Sequence, residues 1–262
     1  MSIPKAIILG IIQGIAEWLP ISSSGHLVIA QEFFGLQNSM VFDVLLHMAT
    51  LSVVFIVFWG DIKKMIVSVF QWDFKSEYGK LALFIIIGSI PTAIIGILFH
   101  DIFEKMFSNL WAVAVALMVT GILLLLTKIK KENTKYINSK NSLLIGLVQG
   151  IAIIPGISRS GSTISAGILS GVDKEKAARF SFLLSIPAIL GAFLLEAVKF
   201  SKVGSPGISW LSAAIGMIFA AAIGYCVLKF LLKIIKSDKF HLFGYYCVGL
   251  SIILFGILTF VR

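Results

Sequence analysis

The segment Leu9–His26, LGIIQGIAEWLPISSSGH, returns at Ile145–Ser162 as IGLVQGIAIIPGISRSGS. From Leu9 to Ile145 the offset is 136, about half of the 262 residues. At that offset Gly10, Gln13, Gly14, Ile15 and Ala16 meet Gly146, Gln149, Gly150, Ile151 and Ala152, and the match resumes at Ile21, Ser22, Ser24 and Gly25 against Ile157, Ser158, Ser160 and Gly161. Such a period predicts one domain made of two related halves, about 1–135 and 136–262. The mismatches matter as much: Glu17 faces Ile153, Ser23 faces Arg159 and His26 faces Ser162. The halves share a scaffold and divide the polar chemistry between them.

With 58% hydrophobic and 13% charged residues, the chain has too little polar surface for a water-soluble domain. It reads as an all-α polytopic membrane protein. The N-terminus does not read as a cleavable signal, because Gln13 and Glu17 interrupt its apolar run and no small-residue cleavage site follows. Cys226 and Cys247 each sit in an apolar segment, which argues against a disulfide or a zinc site. Residues 3–34 are apolar but broken by Pro20-Ile-Ser-Ser-Ser-Gly25, and neither side is long enough for a full crossing. The pattern predicts a re-entrant helical hairpin, followed by spans at about 41–60, 81–99 and 111–127. A second broken hairpin is expected at about 143–171, then spans at about 178–198, 209–228 and 242–261, with Pro91 and Pro187 as tolerated kinks. The tryptophans, Trp18, Trp59, Trp72, Trp111 and Trp210, are expected in interfacial belts and lipid-facing surfaces.

The net charge of +9 does not point to nucleic acid, because the lysines crowd into short loops. In this layout the connections at 61–80, 128–141, 173–179 and 229–241 share one face and hold 16 of the 22 basic residues. Lys5, Lys105, Lys199, Lys202 and Arg262 fall on the other face, and Arg159 is left in the second hairpin. The positive-inside rule makes the crowded face cytoplasmic and puts both termini outside. A hairpin plus three spans is an odd number of crossings, so the second half is inverted relative to the first. The hairpin tips then approach each other within the membrane.

A glutamate at the centre of an apolar helix costs about 2.5–3.5 kcal/mol on insertion scales, so Glu17, His26 and Arg159 stand out as functional candidates. A structural Glu17–Arg159 ion pair is the plain alternative and is compatible with function. Ser22, Ser23 and Ser24 before one apolar run, and Ser158 and Ser160 before the other, read first as helix caps. Two helix N-termini aimed at one point nevertheless form an anion site, to which Arg159 adds a fork suited to phosphate oxygens. Gly25 and Gly161 let backbone and ligand approach closely. Ser23 is a candidate nucleophile and His26, three residues on, is expected to reach the same face as proton carrier. Glu17 could act as base, orient His26 or hold a divalent cation. Asp43 and His47 share a helix face on the first full span, either lining the cavity mouth or forming an interfacial pair.

QGIAEWLPISSSGH and PGISRSGST (Pro155–Thr163), together with FSFLLSIPAILGA after the second hairpin, resemble the undecaprenyl-pyrophosphate phosphatase family, integral-membrane enzymes associated with bacitracin resistance. The resemblance covers essentially the whole chain. It implies hydrolysis of a C55 isoprenoid pyrophosphate to the monophosphate at the outer face of the plasma membrane, recycling the lipid carrier for the cell wall. Carried over by position, it makes Glu17, Ser23, His26 and Arg159 catalytic. Gln13, Ser22, Ser24, Gly25, Ser158, Ser160, Gly161 and Thr163 become substrate-binding. Many members carry a glutamate where this chain has Gln13, which weakens the case for a tightly held metal although family activity generally depends on Mg2+ or Ca2+. The implied partners are the polyprenyl pyrophosphate and membrane lipids, with a homodimer left open. A lipid flippase is the alternative, since inverted repeats with broken helices are also transporter architecture.

Overall fold

The computed structural model describes residues 1–36, 40–129, 136–203 and 209–260, with side chains of the third segment described through residue 198. The described residues contain twelve α-helices and no strand. Each copy of the repeated sequence is a pair of helices interrupted by a turn. The first is α1 (Ile3–Ala16) and α2 (Ser23–Phe33); the second is α8 (Ser139–Ile151) and α9 (Arg159–Leu169). Within each pair the two helices pack against each other. The breaks follow from Pro20 and Pro155, which cannot donate a backbone hydrogen bond and disfavour helical geometry in the residue before them. Ser22 and Ser158 then restart the helix by accepting hydrogen bonds from the amides of Gly25 and Gly161, at 3.2 and 3.1 Å.

Five further helices are long and apolar enough to cross a membrane: α3 (Met40–Val57), α5 (Glu77–Leu98), α10 (Lys174–Val203, apolar over Lys174–Val198), α11 (Trp210–Lys236) and α12 (Leu242–Phe260). The short α6 (His100–Met106) and α7 (Leu110–Leu126) supply a sixth candidate, bent by 100° between them. Pro91 and Pro187 lie inside continuous helices. One turn before Pro187, the Leu184 carbonyl accepts a hydrogen bond from Gln149 Nε2 at 3.4 Å.

Three expectations change. The connection placed at 61–80 contains a helix, α4 (Trp59–Phe70), and much of 229–241 belongs to α11. Lysines crowd both segments, and charge alone does not tell a loop from a helix with a polar face. Trp18 is fully buried rather than interfacial, packing edge-to-face on Phe182 with ring centroids 5.7 Å apart. Trp59, Trp72, Trp111 and Trp210 are exposed, as a lipid-contacting belt requires. Lys130, Lys131, Lys135 and Arg262, and the side chains of Lys199 and Lys202, lie outside the described residues.

The helices pack in an exchanged pattern. The first helix of each pair makes its most extensive packing not within its own half but along a helix of the other: α1 along α11, and α8 along α5. Glycines set the distance of both crossings. A Cβ at Gly10 would strike the Gly216 carbonyl of α11, and one at Gly146 would strike the Gly88 carbonyl of α5. This close approach explains why Gly10 and Gly146 recur in the repeat. Between these crossings α3 packs on α10, and α7 packs on α12, where Ser251 Oγ donates to the Ala114 carbonyl at 2.7 Å.

Candidate functional site

The two turns touch. Ser22 Oγ accepts from the Gly156 amide at 3.1 Å, joining positions 134 residues apart, and Ser160 Oγ donates to the Leu19 carbonyl at 3.3 Å. Thr120 on α7 buttresses the second turn. Its hydroxyl donates to the Gly156 carbonyl at 2.9 Å and accepts from the Ser158 amide at 3.1 Å. Ser22 is held at φ 71°, a left-handed conformation that serine rarely adopts. Its carbonyl accepts from His26 Nδ1 at 2.8 Å.

At this junction Glu17 gathers donors from both halves. Arg159 Nη2 reaches Oε1 at 2.6 Å, while the Ser23 hydroxyl donates to Oε2 at 2.6 Å and Gln13 Nε2 to the same oxygen at 3.2 Å. His47 Nε2 stands 3.3 Å from Oε2. The Glu17 side chain is 4% exposed, so this ring of donors takes the place of the water that would otherwise solvate its charge. The guanidinium of Arg159 lies 5.8 Å from the Trp18 ring, and its Nη1 is buried without a hydrogen-bond partner. A buried cationic donor left open beside a cavity is a place for an anionic oxygen.

That cavity holds about 670 Å3. Glu17, Ser23, Ser24, Asp43, His47, Ser158 and Arg159 belong to its polar part, and Ile97, Ile153, Ile157, Ile189, Leu194 and Val198 to its apolar wall. The N-termini of α2 and α9 therefore open into one space, each with first-turn amides that have no intrahelical partner. Of the two readings of Asp43 and His47, the cavity lining holds. Asp43 is buried and its Oδ1 accepts from Gln31 Nε2 at 2.6 Å.

The structure separates the remaining candidates. Ser24 joins Ser23 and Ser158 in the cavity wall. Ser22 and Ser158 are spent on caps, and Ser160 bridges the turns. Gly25 and Gly161 pack against the opposite turn, Gly25 beside Gly156 and Gly161 beside Pro20. Thr163 is buried, donating to the Arg159 carbonyl at 2.6 Å with its hydroxyl 2.6 Å from that of Ser181. The cavity wall that holds Ser23 does not include His26. Its ring stacks on Tyr246 of α12 at 5.7 Å, and its Nε2 lies 2.7 Å from the tyrosine hydroxyl. Since Nδ1 must donate to the Ser22 carbonyl, Nε2 of the neutral ring accepts from Tyr246. His47, by contrast, meets Glu17 although 30 positions separate them. The signal available in the sequence was an ionisable pair inside an apolar span.

A divalent cation does not fit on Glu17 in this arrangement. Oε1 faces a guanidinium, Oε2 takes two hydrogen bonds with the His47 Nε2 atom 3.3 Å away as a third neighbour, and the neighbouring position is the amide Gln13 rather than a second carboxylate.

Fold and site together describe a multi-pass membrane protein with a cavity where two helix N-termini and an arginine meet. A family model described as bacitracin resistance protein BacA matches residues 6–253, and the chain belongs to that family. Its relatives include a protein of Halothermothrix orenii, 48% identical over 97% of this chain and 98% of its own length. Another, from Carboxydothermus hydrogenoformans, is 41% identical over 92% of each, and one from Methanosphaera stadtmanae is 40% identical over 97% of each. All three bear the name undecaprenyl-diphosphatase.

Proposed function

We propose that the chain hydrolyses undecaprenyl pyrophosphate to undecaprenyl phosphate and inorganic phosphate. The observation that carries this reading is the buried Arg159–Glu17–Ser23 array opening into a cavity with an apolar wall. The terminal phosphate docks on Arg159 Nη1 and the free amides that begin α2 and α9, and the isoprenoid chain lies along Ile97, Ile153, Leu194 and Val198. Ser23 attacks the terminal phosphorus. As its Oγ–P bond forms, the P–O bond to the lipid phosphate breaks, the hydroxyl proton passes to Glu17 Oε2, and the lipid leaves as its monophosphate. Water then attacks the phosphoserine, releasing inorganic phosphate and returning the proton to Ser23. His26 enters as the residue that fixes the strained start of α2 through the Ser22 carbonyl. A divalent cation belongs in this reading as a companion of the pyrophosphate oxygens, and no step depends on it.

The same proposal includes the topology. The two broken helix pairs are re-entrant hairpins of an inverted repeat, as the exchanged packing of α1 and α8 supports. The first enters from the extracytoplasmic face, where the site opens and both termini lie. There the enzyme recycles the lipid carrier for cell-wall synthesis.

The test is phosphate release from a long-chain isoprenyl pyrophosphate by the purified protein in detergent, with and without Mg2+, beside Arg159→Ala. Release by the wild type alone supports the reading. No release from a wild type that still binds the lipid overturns it in favour of a flippase.

A further inference from the structure

His47 lies outside the repeated segments, yet it completes the surroundings of Glu17. Its Nδ1 stands 2.7 Å from the Asp43 carbonyl, which can only accept, so Nδ1 carries a proton. Its Nε2 faces Glu17 Oε2 at 3.3 Å, a second acceptor. With its proton on Nδ1 alone the ring would set a lone pair against the carboxylate, whereas a proton on Nε2 as well makes the 3.3 Å contact an ion pair. Oε2 is also the oxygen that takes the Ser23 hydroxyl, while Arg159 holds Oε1. Behind it, Thr50 of the same helix donates to the His47 carbonyl at 2.9 Å and lies 3.5 Å from Gln13 Nε2. The charged and titratable groups near the ring are Glu17 with its partner Arg159, and Asp43 on its own helix, whose carboxylate is turned to Gln31. Glu196, His100 and Glu104 belong to the same cavity wall, but His100 is paired with the two carboxylates at 3.6 and 3.7 Å.

We infer that His47 is a positioning residue of the reaction: its Nε2–H fixes Glu17 Oε2 against the nucleophile, opposite Arg159, so that one carboxylate is clamped from α3 and from α9. The inference rests on the phosphatase reading, and it assigns His47 no contact with substrate. Its chemistry requires a hydrogen-bond donor at that point on α3. A glutamine side chain can supply one, whereas leucine fills similar volume without it.

The experiment compares wild type, His47→Leu, His47→Gln and Arg159→Ala in the phosphate-release assay, with kcat and KM resolved and thermal unfolding recorded for each. We expect His47→Leu to lose about 10²-fold in kcat, the scale of a misplaced catalytic group, with KM changed by less than about threefold since the contact is not to substrate. His47→Gln should recover most of that kcat. Two results would overturn the inference while leaving the phosphatase reading intact: His47→Leu turning over like the wild type, or a folded His47→Gln as inactive as His47→Leu. No release by the wild type would instead overturn the phosphatase reading, and this inference with it.

Discussion

Arg159→Ala removes a guanidinium but leaves the Glu17 carboxylate in place, 4% exposed and 2.6 Å from where its partner was. Breaking a buried pair from one side costs about 3–5 kcal/mol because a charge is stranded. Glu17 keeps the donors of Ser23 and Gln13 and the neighbouring His47, so the lower end, about 3 kcal/mol, is expected. For a chain of this size that corresponds to a fall in Tm of roughly 6–12 °C. Adding Glu17→Gln removes the stranded charge, and the double variant should regain most of the loss, about 2 kcal/mol. Tryptophan fluorescence in detergent follows the transition, and Trp18, 5.8 Å from the guanidinium, reports on the site itself. Phosphate release should be absent from both variants. A double variant that melts no higher than Arg159→Ala would refute the claim that the stranded carboxylate causes the loss. The pair would then contribute through packing alone.

The other outcomes concern single contacts. Ser23→Ala should abolish turnover if its oxygen attacks phosphorus; a substantial residual rate in phosphate release makes Ser23 a binding group and water the nucleophile. His26→Ala removes the side-chain hydrogen bond to the Ser22 carbonyl at a strained turn, leaving only that of the His26 amide, and should cut kcat about 10²-fold. Tyr246→Phe, which leaves that bond intact, should stay within about threefold, and equal losses in the two would show that the tyrosine contact matters instead. Gly146→Ala drives a methyl group into the Gly88 carbonyl and should lower stability by about 1–3 kcal/mol in detergent melting, with an unchanged Tm arguing against so close a crossing.

Much of this architecture could be read from the sequence because the strongest signals were local. Pro20 and Pro155 mark where the helices break, Ser22 and Ser158 where they restart, and the repeated Gly10 and Gly146 where neighbours come close. The meeting of Glu17 and Arg159 was also foreseeable, since two ionisable groups inside apolar segments need each other. What stayed hidden depends on how helices rotate about their own axes. Uniformly apolar spans carry little record of which face looks inward, so nothing in the sequence showed that His47 turns toward Glu17 while His26 turns toward Tyr246. The helix α4 was hidden for a related reason: Lys63 and Lys64 placed it correctly outside the apolar spans but said nothing of its backbone.

The exchanged crossings also govern how the protein comes to exist. Synthesis delivers α1 first, yet the helix against which its glycine face fits begins at Trp210, late in the chain. Glu17 likewise has no Arg159 until α9 has been made, so the polar end of the first helix pair lacks its partner through the synthesis of α3 to α8. The pair formed by α8 and α5 suffers no such delay, since α5 precedes α8. Assembly is therefore ordered: α8 finds α5 already made, whereas α1 waits for α11. A chain that ends between α2 and α9 therefore carries the Glu17 carboxylate without the arginine that pairs with it.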